Sequence, residues 1–457
     1  MVIRVLGGLL GAYTLTGDRD VLDLAAQTGR ALLPALTQAS AGIPLCAVQL
    51  ASGTANCRAH NEHNHIQEDP MVLGGHGVIP LSELGSVQLE YAALAHATGE
   101  SHFQLLADRA LQSVFTTLKP KDGLYPKHLW TNSLSYASRE VGFAGGSDSF
   151  YETLLKRWLQ GGRKQEWLRR MYQQSLVGLR RLLRKSSPSN LTFIATADDD
   201  GQKFVQSERL NLLTRRYTHE HLLCFVPGML ALGAHTGAGV NATVEWQVAR
   251  DVLHTCTQTY RRSPSGLGPE AVVFRTAEAA RLVREAKPES YMQRLKRQAA
   301  EREGNPLPPS APPDYEIKDP TYRLRPEYVE SLYLMWRLDP EIERREHYRK
   351  EALFVLDAIE RRCRTPSAYA KWGSTGLNEG LEDNLESFFF AETLKYLYLI
   401  FSDETEFDVD RYLLTTEAHV LPLPINLDEA SAADPDITTP ADSALLTWWQ
   451  DADFLAE

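Results

Sequence analysis

Five carboxylates recur at one kind of place in this 457-residue chain. Glu83, Asp148, Glu220, Glu327 and Glu386 each stand at or near the start of an apolar, helix-patterned segment. For any one of them capping is a sufficient account, because a helix N-terminus offers a carboxylate free amides and the positive end of its dipole. Five at equivalent positions would do more: if the segments close into a ring, their N-termini converge on one mouth. A carboxylate-lined bowl supplies what glycoside hydrolysis requires, an acid for the leaving oxygen and a base for water. It would equally suit a hard cation that takes oxygen ligands.

The segments that must position these carboxylates form a repeat. An apolar helix, a tight turn with Gly or Asp and a more amphipathic helix recur six times. The first copy is VLGGLLGAYTL, Thr16-Gly17-Asp18 and VLDLAAQTGRALLPAL, where Leu22, Ala25, Gly29, Leu32 and Leu36 share one helical face. Later copies open at SELGSVQLEYAALAHA, DSFYETLLKRWLQ, LLCFVPGMLALGAH, RPEYVESLYLMWRL and LESFFFAETLKYLYLIF. A helix apolar on all sides is buried on all sides, whereas a striped one faces solvent. The repeat therefore predicts an all-α toroid of two concentric layers. An open solenoid fits less well, since the spacing is irregular and polar capping repeats are missing. Strand-like stretches are few, at 191–196 and 271–274, and are expected to form short hairpins at one mouth.

One domain is expected over 1–424. Residues 277–314 read as an inserted surface helix and Pro-rich linker, and 425–457 as a disordered tail. Lys+Arg 48 against Asp+Glu 59 gives a net charge of −11, and without a basic tract nucleic-acid binding is not expected. GxGxxG, P-loop and GxSxG elements are missing, which removes support for nucleotide cofactors and serine hydrolysis. HEHLLC at 219–224 lacks the HExxH spacing of zinc proteases, and HNEHNH at 60–65 and ADDDG at 197–201 read as a solvated loop and a turn. The opening MVIRVLGGLLGAY is too short to span a membrane and has no small-x-small cleavage site. No other window is apolar enough to span, so any signal anchor would lie outside this chain.

The strings IRVLGGLLGAY, DSFYETLLKRWLQGG, HLLCFVPGMLALGA, GLGPE, LRPEYVESLYLMWRL, ESFFFAETLKYLYLIFSD and TTEAH, in this order from Ile3 to about Pro424, resemble glycoside hydrolase family 47, the class I α-1,2-mannosidases. The resemblance implies an (α/α)7 barrel, a bound Ca²⁺ and inverting hydrolysis of α-1,2-linked mannose on high-mannose N-glycans. Residue by residue, it implies catalytic carboxylates at Asp148, Glu270 and Glu327, with Glu327 as base for the water and Asp148 assisting through water. It implies a calcium ligand at Thr416. Glu417, Glu392, Glu386, Glu330, Glu220 and Glu83 would meet the ion's waters or sugar hydroxyls, together with Arg4, His221 and Arg325. Phe388 would stack on the terminal mannose, although core packing alone explains an FFF run. Calcium suits such a reaction because it accepts about 6–8 oxygens in flexible geometry, enough for two sugar hydroxyls and a water.

The resemblance further implies a disulfide between Cys224 and Cys256; Cys46 and Cys57 are candidates to pair across a loop, and Cys363 has no partner to name. Bridges imply an oxidising lumen, and the sequons at Asn190 and Asn241 agree with a secretory route through endoplasmic reticulum or Golgi. Two departures from the family pattern carry expectations. The glutamate that should precede Arg4 by four residues, commonly assigned as general acid, would fall immediately before Met1, so an incomplete gene product with six of seven hairpins is expected. Gly146 stands where endoplasmic-reticulum enzymes carry an arginine, which predicts broader, Golgi-like trimming. The competing expectation from another class is a quality-control protein that binds high-mannose glycans without cleaving them.

Overall fold

The computed structural model describes residues 1–39, 42–57, 77–198, 217–277, 314–376 and 380–424. HNEHNH, almost all of the 277–314 excursion and the 425–457 tail lie outside the described residues, as does most of ADDDG.

Five helical hairpins follow one another. They are α1 (Gly7–Thr16) with α2 (Arg19–Leu32), α3 (Gln88–Thr98) with α4 (His102–Thr117), and α5 (Asp148–Gln160) with α6 (Glu166–Leu182). Then come α7 (Val226–Thr236) with α8 (Ala242–Arg261) and α9 (Glu327–Leu338) with α10 (Arg345–Arg362). A sixth inner helix, α11 (Leu394–Phe401), continues a π-helical turn at Phe389–Thr393. Odd-numbered helices pack side by side in chain order, and each even-numbered one packs outside its partner. The inner layer is dry: α5 buries every residue from Phe150 to Gln160, charged ones included.

Three inner helices end by the same device. Thr16, Thr98 and Thr236 turn their hydroxyls back to the carbonyls of Ala12, Leu94 and Leu232. Gly17, Gly99 and Gly237 then take φ of +70°, +77° and +71°, the left-handed conformation that closes a helix C-terminus. Asp18 and Asn241 cap the following α2 and α8 by accepting from Asp20 N and Val244 N. A threonine–glycine pair thus specifies where the chain reverses from inner to outer layer.

The sixth copy differs from the expectation. Where an outer helix should follow α11, the chain forms a β-hairpin of Tyr412–Leu414 and Val420–Pro422. β-Branched residues and a proline at the strand end disfavour a helix there. The second strand packs on α1, so among the described residues a hairpin, and not a helix, stands between α11 and α1. Apolar side chains are exposed on both flanks, with Val5 and Leu15 on one and Phe390, Tyr398 and Phe401 on the other.

Strands are also more numerous than expected. Thr192–Ile194 pairs with Leu183–Lys185. Ala271–Phe274 is the middle strand of three, between Thr218–Glu220 and Tyr315–Asp319. That sheet delivers Glu220 and Glu270 to the same end of the barrel, where His221 N donates to Glu270 O at 2.9 Å.

Disulfides join Cys224 to Cys256 and Cys46 to Cys57, while Cys363 is free and buried. The first ties the entry of α7 to α8; the second crosses the hairpin of Ala47–Gln49 and Thr54–Asn56. No described helix is long and apolar enough to cross a membrane.

One buried ion pair links two hairpins. Arg157 on α5 donates two hydrogen bonds to Asp108 on α4, at 3.0 and 2.7 Å, with both side chains essentially inaccessible. Asp108→Ala strands an unpaired guanidinium in the core and should cost about 3–5 kcal/mol, read as a lower urea midpoint. Glu346→Ala, which breaks an exposed pair with Lys350, should leave that midpoint in place.

Candidate active site

The N-terminal ends of the inner helices surround a cavity of about 220 Å³. Asp148 is the first residue of α5 and Glu327 the first of α9, so helical spacing puts Glu152 and Glu330 about one turn deeper on the same walls. Glu392 comes from the π-helical turn, and Thr416 and Glu417 from the tip of the C-terminal hairpin. Arg4, Arg325 and Phe388 complete the lining, with both guanidinium carbons 5.8–5.9 Å from the centre of the Phe388 ring. Phe388 is thereby held as a flat apolar wall beneath two cations.

Two carboxylates at the same helical position are driven to opposite protonation states. Burial raises the Asp148 carboxyl to about 7, and the charges of Glu327, Glu152 and Glu220 add to the rise. Burial would lift Glu327 too, but the His221 ring and Arg325 outweigh it and hold its carboxyl below the ordinary range. His221 Nδ1 lies 2.7 Å from Glu327 Oε2, and His221 Nε2 lies 2.7 Å from the Tyr260 hydroxyl. Arg325 is in turn aimed by Glu270, which receives two hydrogen bonds from it at 2.7 and 2.5 Å.

The expected residues sort accordingly. The structure brings together Asp148, Glu327, Arg4, Arg325, Glu330, Phe388, Glu392, Thr416 and Glu417, with Arg4 Nε 3.1 Å from Glu417 Oε1. His221 lies behind Glu327 as its hydrogen-bond partner. Glu270 has both oxygens on Arg325, so what the structure shows for it is orientation of that guanidinium and no place in the cavity lining. Glu220 accepts from Gly145 N at 3.1 Å, beside the lining. Glu386 precedes Phe388 at the rim, also outside the lining. Glu83 falls on a separate short helix, Leu81–Gly85, because α3 begins only at Gln88. It lines an adjoining apolar cavity of about 680 Å³ that meets the first at Ile3 and Ser149.

Three charged residues escaped the sequence reading. Glu90, in the first turn of α3, is fully buried, and its oxygens meet no hydrogen-bond partner among the described residues. Glu152 is hydrogen-bonded to Lys156, whose ammonium is also 3.9 Å from Glu330. The signal was available: each is a charge inside a helix patterned for complete burial.

These residues fit a hard cation. Burial raises Glu90 to about 8 and Glu330 to about 8, and lifts Glu392 well above the usual carboxylate range. Neighbouring carboxylates reinforce the rise at each, and the Lys156 ammonium offsets it in part at Glu90 and Glu330. A cluster of carboxylates that repel one another and keep unpartnered oxygens has the donor set that a divalent ion with oxygen ligands requires. By contrast His219, Cys224 and Cys256 lie close together, but the sulfurs form a disulfide and so are no ligand pair.

Known proteins share this sequence and fold. The model of "Glycosyl hydrolase family 47" matches residues 1–423. The Drosophila melanogaster "Mannosyl-oligosaccharide alpha-1,2-mannosidase IA" is 31% identical over 97% of this chain and 56% of its own length. The Homo sapiens "Endoplasmic reticulum mannosyl-oligosaccharide 1,2-alpha-mannosidase" is 32% identical over 92% of this chain and 52% of its own. The chain spans about half the length of the curated relatives it matches. Among solved structures, an alpha-1,2-mannosidase from Trichoderma reesei superposes with a TM-score of 0.72 at 24% identity, covering 92% of this chain and 81% of that one.

The raised carboxyls set a pH dependence of stability. Between about pH 4.5 and 8 the unfolded chain has ionised Glu90 and Glu330 while the folded chain keeps their protons, so the cation-free protein loses stability as pH rises through that window. Scanning calorimetry in EDTA should give a lower Tm at pH 8 than at pH 5.5, and Glu90→Gln should narrow the difference. Added Ca²⁺ should raise the Tm more at pH 8 than at pH 5.5, because ligands must shed protons to bind.

Proposed function

This chain belongs to glycosyl hydrolase family 47, and we propose that it is an inverting α-1,2-mannosidase acting on high-mannose N-glycans. The observation that carries the proposal is the opposed protonation of Glu327 and Asp148 across one cavity walled by Phe388. Two carboxyl groups whose surroundings drive them apart are suited to act as base and acid at one pH.

The steps follow from where the groups sit. Phe388 offers an apolar face to the terminal mannose ring, and Arg4 and Arg325 direct donors to its hydroxyls. Ionised Glu327, steadied by His221, takes a proton from water as the water attacks the anomeric carbon. The departing oxygen takes a proton from Asp148, which still holds one near neutral pH and delivers it through water. Attack on the face opposite the leaving oxygen inverts the anomeric configuration. Thr416, with Glu330, Glu392 and Glu417 around it, would hold a calcium ion, which would supply a fixed positive charge beside the sugar hydroxyls and the attacking water. Glu270 acts through Arg325 as a positioning residue. Glu83, Glu220 and Glu386 serve sugar units further out.

The same surroundings bear on linkage choice and compartment. Gly146 has φ +92°, a left-handed backbone that an arginine rarely adopts, and a Cβ there would have to displace the Lys127 side chain, whose Cε stands 2.5 Å away. We read trimming as broad and Golgi-like. Two disulfides fit an oxidising lumen of the secretory pathway.

Purified protein incubated with a high-mannose oligosaccharide in calcium should release mannose as the β-anomer, followed by NMR, and EDTA should stop release. Binding of the oligosaccharide with no mannose released overturns the hydrolase reading in favour of a glycan-binding protein. Release that persists in EDTA overturns the calcium assignment.

Glu327→Gln should lower kcat by roughly 10²–10⁴. The rate should rise with pH as Glu327 ionises, below the ordinary carboxylate range, and fall near pH 7 as Asp148 loses its proton. His221→Phe removes the partner that holds Glu327 ionised, so the acidic limb should move upward and the limb near 7 should stay.

A further inference from the structure

Lys395 is a cation that the chemistry above leaves unused. It stands on α11 three residues after Glu392, close enough to feel that carboxylate. Its ammonium nevertheless donates to a neutral group, the carbonyl oxygen of Ala418, at 2.6 Å. Ala418 belongs to the turn that carries Thr416 and Glu417.

That turn is in a conformation its own sequence does not favour. Ala418 is fully buried with φ +55°, a left-handed backbone that a residue with a Cβ adopts only where its surroundings impose it. Within the turn, Ala418 N donates to Thr415 O at 2.9 Å, Thr415 N to His419 O at 2.9 Å, and His419 N to Thr415 Oγ1 at 3.1 Å. These bonds close the loop on itself without fixing it to the barrel. Fixing comes from two sides. On the α1 side the His419 ring lies against Gly7 and Gly8 and hydrogen-bonds the Arg4 backbone. On the α11 side the contact is Lys395.

We propose that Lys395 is a positioning residue for the cation site: it clamps the 415–419 turn against α11 and so holds Thr416 where a divalent ion can use its oxygens. The assignment rests on the calcium reading given above. An ammonium is suited to the task because its three donors can meet a carbonyl in any orientation. Partners behind a metal ligand orient it, and their loss commonly weakens metal binding about 10–100-fold.

The test uses the full chain stripped with EDTA and titrated with Ca²⁺ by isothermal calorimetry, with the cation-free Tm measured in parallel. Lys395→Met should weaken calcium about 10–100-fold, while the cation-free Tm stays within a few degrees of the parent. Lys395→Arg, which keeps a charged donor, should bind within about threefold of the parent. If Lys395→Met does not fold, Lys395→Gln, which keeps only a short neutral donor, takes its place with the same expected weakening. Calcium affinity equal to the parent's in the folded Met or Gln variant overturns the assignment, as does an equal loss in Lys395→Arg. If the parent itself takes up no calcium, the calcium reading falls and the role of Lys395 with it; parental binding with an unchanged variant sinks the role of Lys395 alone.

Discussion

Mutual repulsion among carboxylates at the barrel axis is the constraint on which the rest depends. Glu90, Asp148, Glu152, Glu330, Glu392 and Glu417 converge where water is largely excluded. A charge in such a medium is costly unless it is paired, and like charges make it worse. The chain answers with one inaccessible ammonium, Lys156, placed between Glu152 and Glu330, and with two guanidiniums at the mouth. Lys156 also lines a cavity of about 230 Å³ at the other end of the barrel, so it forms part of the floor between two spaces. The carboxyls left unpaired, Glu90, Glu330 and Glu392, keep their protons to a higher pH than an ordinary carboxylate does.

Delivering the last of these groups needs close approach of two backbones. Gly7, Gly8 and Gly11 make one face of α1, and the hairpin tip lies on it. A Cβ at Gly7 would stand 2.8 Å from His419 Cδ2, and one at Gly11 would stand 3.4 Å from Val420 N. Glycine weakens a helix by roughly 0.5–1 kcal/mol relative to alanine, so a GGLLG run is a poor choice for helix stability alone. Its use here is to let the hairpin sit near enough for Thr416 and Glu417 to enter the cavity and for Arg4 to meet Glu417.

The helical hairpins were legible because three independent signals agreed: all-round apolarity of one helix, a stripe on the next, and a glycine turn between. Asp148 and Glu327 were legible because each stands at a helix start, where a carboxylate is conspicuous. Glu90, Glu152 and Lys156 were marked only as charges inside helices patterned for burial, since periodicity tells which helix is buried but not toward which neighbour a given residue points. Glu83 shows the opposite error. Its helix-start position was read correctly, but the break at Ser86 and Val87 separates it from α3. The small sheets escaped because their strands run only two to five residues. Thr218–Glu220 also finds its partner, Ala271–Val273, some fifty residues away, and no local pattern records such pairing. The sixth hairpin misled because its first half repeats the motif while its second half, rich in threonine and proline, belongs to a strand.

Asp148 and Glu327 isolate what the fold adds to a residue type. Both open an inner helix and are half-buried at the same mouth, and burial pushes both carboxyls upward, so neither the helix dipole nor desolvation distinguishes them. The difference lies one layer back. Glu327 faces a His221 held by Tyr260 and an Arg325 held by Glu270, two chains that each end on a group with a single orientation. Asp148 has only the Ser149 amide and three carboxylates for company. The groups that hold those two partners of Glu327 are Tyr260 and Glu270, one inside an outer helix and one beside a short strand. Neither lines the cavity, and both precede the LRPE motif by more than fifty residues.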